Sequence, residues 1–406
     1  MQTVNEDEAT AARRVRGDPG KAARRGACAL LLLGLATLGA VLPARTIAQT
    51  PPLSPDTLGR LNWGVDEQNQ PWTVQSLRRH LAATPRDDLS RQVNRVVQVA
   101  EQQLGATITP VAHLRTEGNL SSDPAYRASV AATSQLNTVY NWATCARLAD
   151  PPLADQCQAA ATTAISAWTT TYQPSGNPID ENPLIPLLQS IDLMLPLLSP
   201  DQQAQALAWT AELGRQGESL FAGMSGGDTR RINNWNSWHL ALQGMVAAIT
   251  ADPALLERTR TAAHAQIGQN VYADGSTYDF RERDALHYHV YDLQALVDLD
   301  LFTSVLSADD EAAILSALQF LRPYFLGEQQ HIEFANSPVA FDRVRREAGD
   351  PSFAIAPWDP ARARQLLRLA RSRFPAIRAW SASVVDEQYS PRLKELAALF
   401  LIPGPD

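Results

Sequence analysis

The chain has 406 residues, of which 45% are apolar, so it is long enough to bury a large core. It carries 35 Lys and Arg against 43 Asp and Glu, which gives a net charge of −8. Removal of residues 1–49 would leave 28 basic and 39 acidic residues and a net charge of −11. Proteins that bind nucleic acid usually present a basic surface, so no nucleic-acid partner is expected.

Residues 1–49 are predicted to be a secretory signal peptide. Arg24 and Arg25 precede an apolar run from Ala27 to Leu42, and a small-residue site follows near Ala48. The run has 16 residues, whereas a membrane span needs about 18 or more, so a permanent anchor is the less favoured alternative. We therefore expect a periplasmic or secreted protein that has no stable membrane insertion after cleavage.

Two cysteines, Cys145 and Cys157, remain beyond this leader and flank the turn-prone residues 150–152. In an oxidising compartment this arrangement favours a disulfide that joins two helix ends. Two free buried thiols are the alternative, because spacing alone does not fix the distance between the Cα atoms. The sequence has no cysteine pattern typical of a metal site, and neither a metal nor a cofactor is expected.

From Val74 onward, amphipathic segments of helical length alternate with short breaks rich in Pro, Gly, Asp and Asn, and strand-like alternation is scarce. The predicted helices span Leu89–Leu104, Pro124–Ala149, Ala154–Tyr172, Asn182–Leu198, Pro200–Gly217, Asn234–Thr250, Pro253–Gln269, Ala285–Phe302, Ala308–Tyr324 and Pro360–Phe374. Helices joined by mostly short connections predict an all-α fold. We expect a single α/α toroid, or incomplete barrel of paired antiparallel helices, over residues 74–406. Residues 50–73 are polar and Pro-rich and are expected to form a linker or a surface arm.

Four long interruptions between these helices hold most of the unusual residues, and functional groups often lie on loops held by a rigid scaffold. They are residues 173–182, 222–233, 272–284 and 331–359. In the third, Arg281 precedes Tyr288 by seven positions, so the two side chains would share one face if both were helical.

A cation beside a phenol suits one particular reaction. The pKa of a free phenol is about 10, and a nearby positive charge favours its ionised form. Abstraction of the C5 proton of a uronate creates a carbanion that is stabilised when cations or donors neutralise the adjacent carboxylate. Arg281 could supply this charge, and Tyr288 could take the proton and return one to the leaving oxygen.

Residues 230–239 form a second cluster, with a double Asn followed by aromatic side chains. Asn234 and Trp238 are one helical turn apart. Amides hydrogen-bond to carboxylates and hydroxyls, and indole rings stack on pyranose faces, so this composition suits a sugar site.

Each of these features also has a purely structural interpretation. Asn233 and Asn236 are good helix caps. A single Trp, such as Trp238, is more often a core residue than a sugar platform. His287 and His289 flank Tyr288 and point in different directions, and either is as readily a satisfied core histidine.

Four blocks of the sequence resemble the alginate lyase superfamily, the α/α-toroid lyases that include the poly-mannuronate lyases. The blocks are Ser175–Glu181, Asn233–Trp238, Asp274–Ser276 with Arg281–His289, and His331–Phe334 with Phe341–Arg343. The resemblance extends from about Gln92 to Trp380. It implies an enzyme that cuts an acidic polysaccharide by β-elimination, most readily the mannuronate blocks of alginate. We expect the protein to be a monomer.

The resemblance also implies roles for individual residues. Tyr288 would be the catalytic base and acid, and Asn234 and Arg281 would neutralise the substrate carboxylate. The remaining cleft residues would be Arg283, His287, Trp235, Trp238, His239 and Arg343. Poly-mannuronate lyases have a His directly after the Asn, and here Trp235 takes its place. Either Tyr288 performs both proton transfers, or another histidine such as His239 enters the site.

Three other functions remain open at this point. The first is a lyase for glucuronan or another polyuronate. The second is a glycoside hydrolase on the same kind of toroid, which would need two facing carboxylic acids, with Asp274, Asp279 and Glu282 as candidates. The third is a uronate-binding protein that has lost activity along with the family histidine.

Overall fold

The computed structural model describes residues 53–66 and 68–384. The predicted signal peptide, residues 1–49, lies outside the described residues. Within those two ranges, no helix is both long and apolar enough to cross a membrane.

α-Helices joined by turns and short 3₁₀ segments make up most of this part of the chain. The first five are α1 (Val74–Ala83), α2 (Asp88–Gln102), α3 (Pro124–Ser134), α4 (Leu136–Leu148) and α5 (Leu153–Thr171). The next five are α6 (Pro178–Glu181), α7 (Ile185–Met194), α8 (Pro200–Ala222), α9 (Asn234–Thr250) and α10 (Pro253–Asn270). The last six are α11 (Tyr278–Arg283), α12 (Leu286–Thr303), α13 (Ala308–Phe320), α14 (Arg322–Phe325), α15 (Ala340–Glu347) and α16 (Arg364–Arg373). The described residues contain isolated β-bridges but no strand, which confirms the all-α prediction.

Local signals at the helix ends explain most of these boundaries. Ser199 and Gln202 form a capping box at the start of α8, and Asp252 caps α10. The segment predicted as one helix from Pro124 to Ala149 is divided at Gln135 into α3 and α4. The segment predicted from Asn182 to Leu198 is α-helical only within α7, with a 3₁₀ turn at each end.

The helices α9 and α12 form the centre of the fold. α9 packs against α8, α10 and α12, while α4 packs against α2, α5 and α7. A Cβ atom at Gly244 would lie 2.5 Å from the Leu299 side chain, so glycine permits a close approach of α9 and α12. Trp238 and Tyr291, near the starts of α9 and α12, have ring centroids 5.2 Å apart, and Gly244 and Leu299 meet further along both helices. The two helices therefore run in the same direction, and their first turns lie at the same end of the domain.

The predicted disulfide is confirmed. Cys145 in α4 and Cys157 in α5 are bonded, with their Cα atoms 5.9 Å apart. Both side chains are buried, and the bond ties two neighbouring helices beneath their connecting turn.

Residues 50–73 were expected to form a linker or a surface arm, but the described part of this segment contributes side chains to the core. Leu58, Leu61 and Trp63 are buried in the core. Asp192 in α7 accepts hydrogen bonds from the backbone N–H of Arg60 at 2.7 Å and of Leu61 at 3.1 Å, and from the Trp63 indole at 2.7 Å. One buried carboxylate therefore binds three donors within the segment 60–63.

Candidate active site

A cavity of about 390 Å³ opens where the first turns of α9 and α12 meet. Its lining residues fall within five stretches of chain, 116–133, 179–183, 234–235, 283–291 and 341–353. Three of the four long interruptions singled out in the sequence contribute to it. The stretch 116–133, which includes α3, was not anticipated.

Tyr288 lies in the first turn of α12 and faces this cavity, with 8% of its surface exposed. Its ring makes edge contacts with Phe334 at a centroid distance of 6.2 Å and with Tyr291 at 6.4 Å. These contacts orient the phenol ring of a residue that is largely buried but still lines the cavity.

The start of α12 is held by a strap, residues 331–336, that crosses it. The buried Glu333 carboxylate accepts hydrogen bonds from the backbone N–H of Leu286 at 2.7 Å and of His287 at 3.2 Å. It thereby caps a helix whose own N-cap residue, Ala285, has no capping side chain. The N–H of Phe334 also donates to the carbonyl oxygen of Asp284 at 2.7 Å. The strap therefore positions Tyr288 from a distant part of the sequence.

The structure does not bring Arg281 to Tyr288. Asp284 adopts a left-handed conformation, with φ at 48°, and separates α11 from α12, so the two residues do not share one helical face. The Arg281 guanidinium instead donates to Ser276 Oγ at 2.8 Å and to Asp274 Oδ2 at 2.9 Å. The sequence-based expectation that Arg281 is the cation beside the phenol was therefore wrong about the position of this residue.

Arg283 supplies that cation. Its Cζ atom lies 4.0 Å from the centroid of the Tyr288 ring, and its guanidinium forms an ion pair with the buried Asp342. Asp342 in turn accepts a hydrogen bond from Ser337 Oγ at 2.8 Å. A fixed cation over the phenol favours the phenolate form of Tyr288.

Burial raises the pKa of Tyr288, and Arg283 opposes this effect. Asp342 acts in the same direction as burial, while Arg345 lowers the pKa. The net rise means that Tyr288 is protonated at neutral pH. The resting residue is thus a proton donor, and its basic form becomes more populated as the pH rises.

Asn234 opens α9 and lines the same cavity as Tyr288. The buried Asp279 carboxylate accepts hydrogen bonds from the Asn234 backbone N–H at 2.8 Å and from its side-chain amide. Burial raises the pKa of Asp279 to about 7. Asn233 is the helix cap and accepts from the Trp235 N–H at 3.0 Å, as its structural interpretation predicted.

Two further predicted residues, Trp235 and His287, also line the cavity. The His287 ring meets the edge of Tyr288 with centroids 5.3 Å apart. Burial, and then the nearby Arg362 and Arg283, lower the pKa of His287 to about 4, so this imidazole is neutral at working pH. Arg230 lies over the Trp235 ring at 5.1 Å.

Three predicted cleft residues lie elsewhere. Trp238 is buried one turn into α9. His239 stacks on Phe221 at 3.9 Å and borders a separate pocket of about 260 Å³. Arg343 is exposed on α15, where it faces Glu347 at 3.9 Å. None of the three lines the cavity.

Other residues of the cavity were missed by sequence reasoning. Arg345 lies two positions beyond Arg343, at 4.7 Å over the Phe353 ring. Asn182 donates to the Tyr291 hydroxyl at 2.9 Å, and both line the cavity. Asn182 could have been identified from the sequence, because it directly follows the block Ser175–Glu181 that resembles the family.

The three acids considered for a glycoside hydrolase do not meet in the cavity. Asp279 is buried behind Asn234, and Asp274 is paired with Arg281. Neither of these nor Glu282 belongs to the cavity lining. Among residues 53–66 and 68–384, no group of three or more His, Cys, Asp or Glu side chains is arranged to hold a metal ion.

The profile of the family described as alginate lyase matches residues 79–331, more than half of the chain. The chain belongs to the alginate lyase family. This membership confirms the resemblance and the class of enzyme, a polysaccharide lyase. A search of curated protein sequences gave no significant match.

The chain is similar to solved structures of other lyases. Two variants of alginate lyase A1-III, each in complex with a tetrasaccharide, share 16% identity with this lyase. One has a TM-score of 0.50 and covers 87% of this chain and 96% of its own. The other has a TM-score of 0.51 and covers 87% and 97%. A variant of chondroitin AC lyase from Streptomyces coelicolor is 15% identical, with a TM-score of 0.49 and coverage of 82% and 49%. The A1-III structures confirm the predicted α/α toroid.

Proposed function

We propose that this lyase cleaves a uronate-containing polysaccharide by β-elimination, with Tyr288 as the group that transfers protons. One observation carries the proposal: Arg283 lies 4.0 Å over the Tyr288 ring, in the same cavity that Asn234 lines. A phenol, a cation and an amide therefore line one partly buried cavity. The mannuronate blocks of alginate are the first substrate to test, given the family and the tetrasaccharide complexes of alginate lyase A1-III.

The first step is neutralisation of the substrate carboxylate. The Asn234 amide is held by Asp279, which fixes the direction of its remaining polar groups. Together with Arg283, it would hydrogen-bond the uronate carboxylate and stabilise the charge that develops when C5 loses its proton. Trp235 would support a pyranose ring by stacking.

The second step is proton transfer. The Tyr288 phenolate accepts the C5 proton, and the electron pair of the C5–H bond forms the C4–C5 double bond. The bond between C4 and the glycosidic oxygen breaks, and the phenol returns a proton to that oxygen. Because burial raises the pKa of Tyr288, the phenolate is a minor species and activity should rise with pH.

His287 offers a variant of the same mechanism. Its imidazole is neutral and lies beside Tyr288, so it could accept the C5 proton while Tyr288 acts only as the acid. His239, the other histidine considered from the sequence, stacks on Phe221 and does not line the cavity, so we assign it no role in proton transfer.

We also propose that the enzyme acts in the periplasm or outside the cell as a monomer. The signal-like pattern in residues 1–49 and the disulfide between Cys145 and Cys157 support an exported protein. An acidic polysaccharide in that compartment would reach the cavity without crossing a membrane.

The test is Tyr288→Phe, assayed by the ultraviolet absorbance of the new C4–C5 double bond on alginate blocks, glucuronan, heparin and hyaluronan. Phe keeps the ring packing but removes the hydroxyl, so turnover should fall by about 10² to 10⁴ while the circular dichroism stays unchanged. Tyr140→Phe is the matched control, since Tyr140 is buried in α4, outside the cavity.

Each alternative gives a different outcome. If Tyr288→Phe kept more than about a tenth of the activity, the assignment would be wrong and His287 would be the next candidate. Release of reducing ends without the absorbance would indicate a hydrolase. Binding without either product would indicate an inactive uronate-binding protein.

A further inference from the structure

The charged side chains that line the cavity are balanced. They are two arginines, Arg283 and Arg345, and two acids, Glu117 and Asp350. Arg283 is already paired with Asp342, which lies just behind it. A homopolymer of uronates brings one negative charge with every sugar, so a cavity made for such a polymer should carry an excess of cations. This cavity carries no such excess.

Glu117 is one of the two acids that line the cavity, and hydrogen bonds to Asp180 fix its backbone position. Asp180 Oδ1 accepts hydrogen bonds from the Thr116 N–H at 2.6 Å, the Thr116 hydroxyl at 2.7 Å and the Glu117 N–H at 2.8 Å. These three bonds attach the loop that carries Glu117 to α6. These hydrogen bonds therefore fix the backbone of Glu117 beside the cavity.

The Glu117 carboxyl group itself makes no hydrogen bond or ion pair with any residue in the described part of the chain. Burial and the neighbouring Asp180 raise its pKa, while Arg345, Arg230 and Arg283 oppose the rise. An acid kept half-buried without a partner lowers stability unless a ligand supplies donors. Sugar hydroxyls are donors that a carboxyl group binds well, whereas a uronate carboxylate would be repelled.

We propose that Glu117 makes one subsite of the cavity select an uncharged sugar, so that the preferred polymer combines uronates with neutral residues and is not a homopolymer of uronates. This inference rests on the proposed function and refines its substrate. The cleaved uronate would meet Asn234 and Arg283, and a neighbouring neutral sugar would donate its hydroxyls to Glu117. A carboxylate at that subsite would cost on the order of tenfold in affinity.

The experiment compares polymannuronate with the same polymer after partial reduction of its carboxyl groups to alcohols, which creates neutral sugars among the uronates. The ratio of kcat/KM on the reduced polymer to that on the intact one is measured for the wild-type enzyme and for Glu117→Gln. The wild-type ratio should exceed one, and Glu117→Gln should lower it about tenfold, mainly through faster cleavage of the intact polymer. Glu328→Gln is the control, because Glu328 is an exposed acid outside the cavity.

A ratio that is the same in Glu117→Gln and in the wild-type enzyme would overturn the inference while leaving the lyase assignment intact. The same comparison is repeated as equilibrium binding of oligosaccharides from both polymers to Tyr288→Phe, with and without Glu117→Gln. This second measurement does not need turnover. If no polymer yields the unsaturated product, the proposed function fails, and the binding ratio still decides whether Glu117 selects a neutral sugar.

Discussion

Removal of the cation over Tyr288 should shift the pH dependence of the enzyme upward. Arg283→Met alone would leave the buried Asp342 without its partner, so the informative variant is Arg283→Met combined with Asp342→Asn. The asparagine keeps an acceptor for the Ser337 hydroxyl, which donates to Asp342 at 2.8 Å. The double variant therefore removes the local field at Tyr288 with little change in packing.

The size of the shift follows from the geometry. The Arg283 Cζ atom is 4.0 Å from the ring centroid, and the phenol oxygen lies somewhat farther away. A unit charge about 5 Å from that oxygen, at an effective dielectric constant of about 20, favours the phenolate by about 3 kcal/mol. The Asp342 carboxylate on the same guanidinium cancels roughly half of this. The remainder of about 1.4 kcal/mol corresponds to about one pH unit.

The assay is kcat/KM against pH on the best substrate. The wild-type profile should rise as Tyr288 ionises, and the midpoint of this rise should lie about one pH unit higher in the double variant. Activity below the midpoint should fall about tenfold and recover at higher pH. Asp342→Asn alone should move the midpoint downward, because it removes an anion that raises the pKa of Tyr288. An unchanged or lowered midpoint in the double variant would refute the role of Arg283.

Three other perturbations test the frame around the site. Glu333→Gln leaves one acceptor oxygen where two N–H groups at the start of α12 donate to two, so the free energy of unfolding measured in urea should fall by about 1 to 2 kcal/mol. An unchanged midpoint of the urea transition would contradict the capping role. Burial raises the pKa of Asp292 well above its ordinary value, and Asp279 adds to the rise. The folded state therefore binds this proton more tightly than the unfolded state does, and the free energy of unfolding decreases as the pH rises. Asp292→Asn should therefore raise the melting temperature more at pH 8 than at pH 4, and an equal effect at both would count against this reasoning. Cys157→Ser should lower the free energy of unfolding by about 2 to 3 kcal/mol without changing kcat, and mass spectrometry of the alkylated, unreduced wild-type protein should find no free thiol at position 145 or 157.

The helical architecture could be predicted because its signals are local. Caps such as Ser199 and Asp252, and the spacing of apolar residues, lie within one or two turns of the boundaries they define. Burial of the segment around Trp63 could not be predicted in this way. Its partner, Asp192, is more than a hundred residues away in the sequence. Most side chains of the segment are polar, so its few apolar residues give no clear pattern that would predict burial.

Part of the cavity lining could be predicted for the same reason. Asn234, Trp235, His287 and Tyr288 were found because they lie in short blocks at helix starts. Arg281 was misplaced because the left-handed turn at Asp284 is held by contacts with the distant strap, and no local feature of the sequence requires it.

Trp238 and His239 were misplaced for a different reason. A helix that points its first turn at a cavity buries its second turn in the core, so residues on one face of α9 experience different surroundings. Glu117 and Arg345 lay outside the sequence blocks that carried the resemblance, and only tertiary contacts bring the loop of Glu117 and helix α15 to the cavity.

One wall of the cavity, residues 341–353, lies beyond residue 331, where the match to the family ends. This wall also supports the residue proposed to transfer protons, because Asp342 pairs with Arg283 and Phe353 packs against the Tyr288 ring. Replacement of the whole wall would therefore change polymer preference and the electrostatic field at Tyr288 together. Engineered specificity should begin with single positions that face the cavity, such as Arg345, and should keep Asp342 and Phe353.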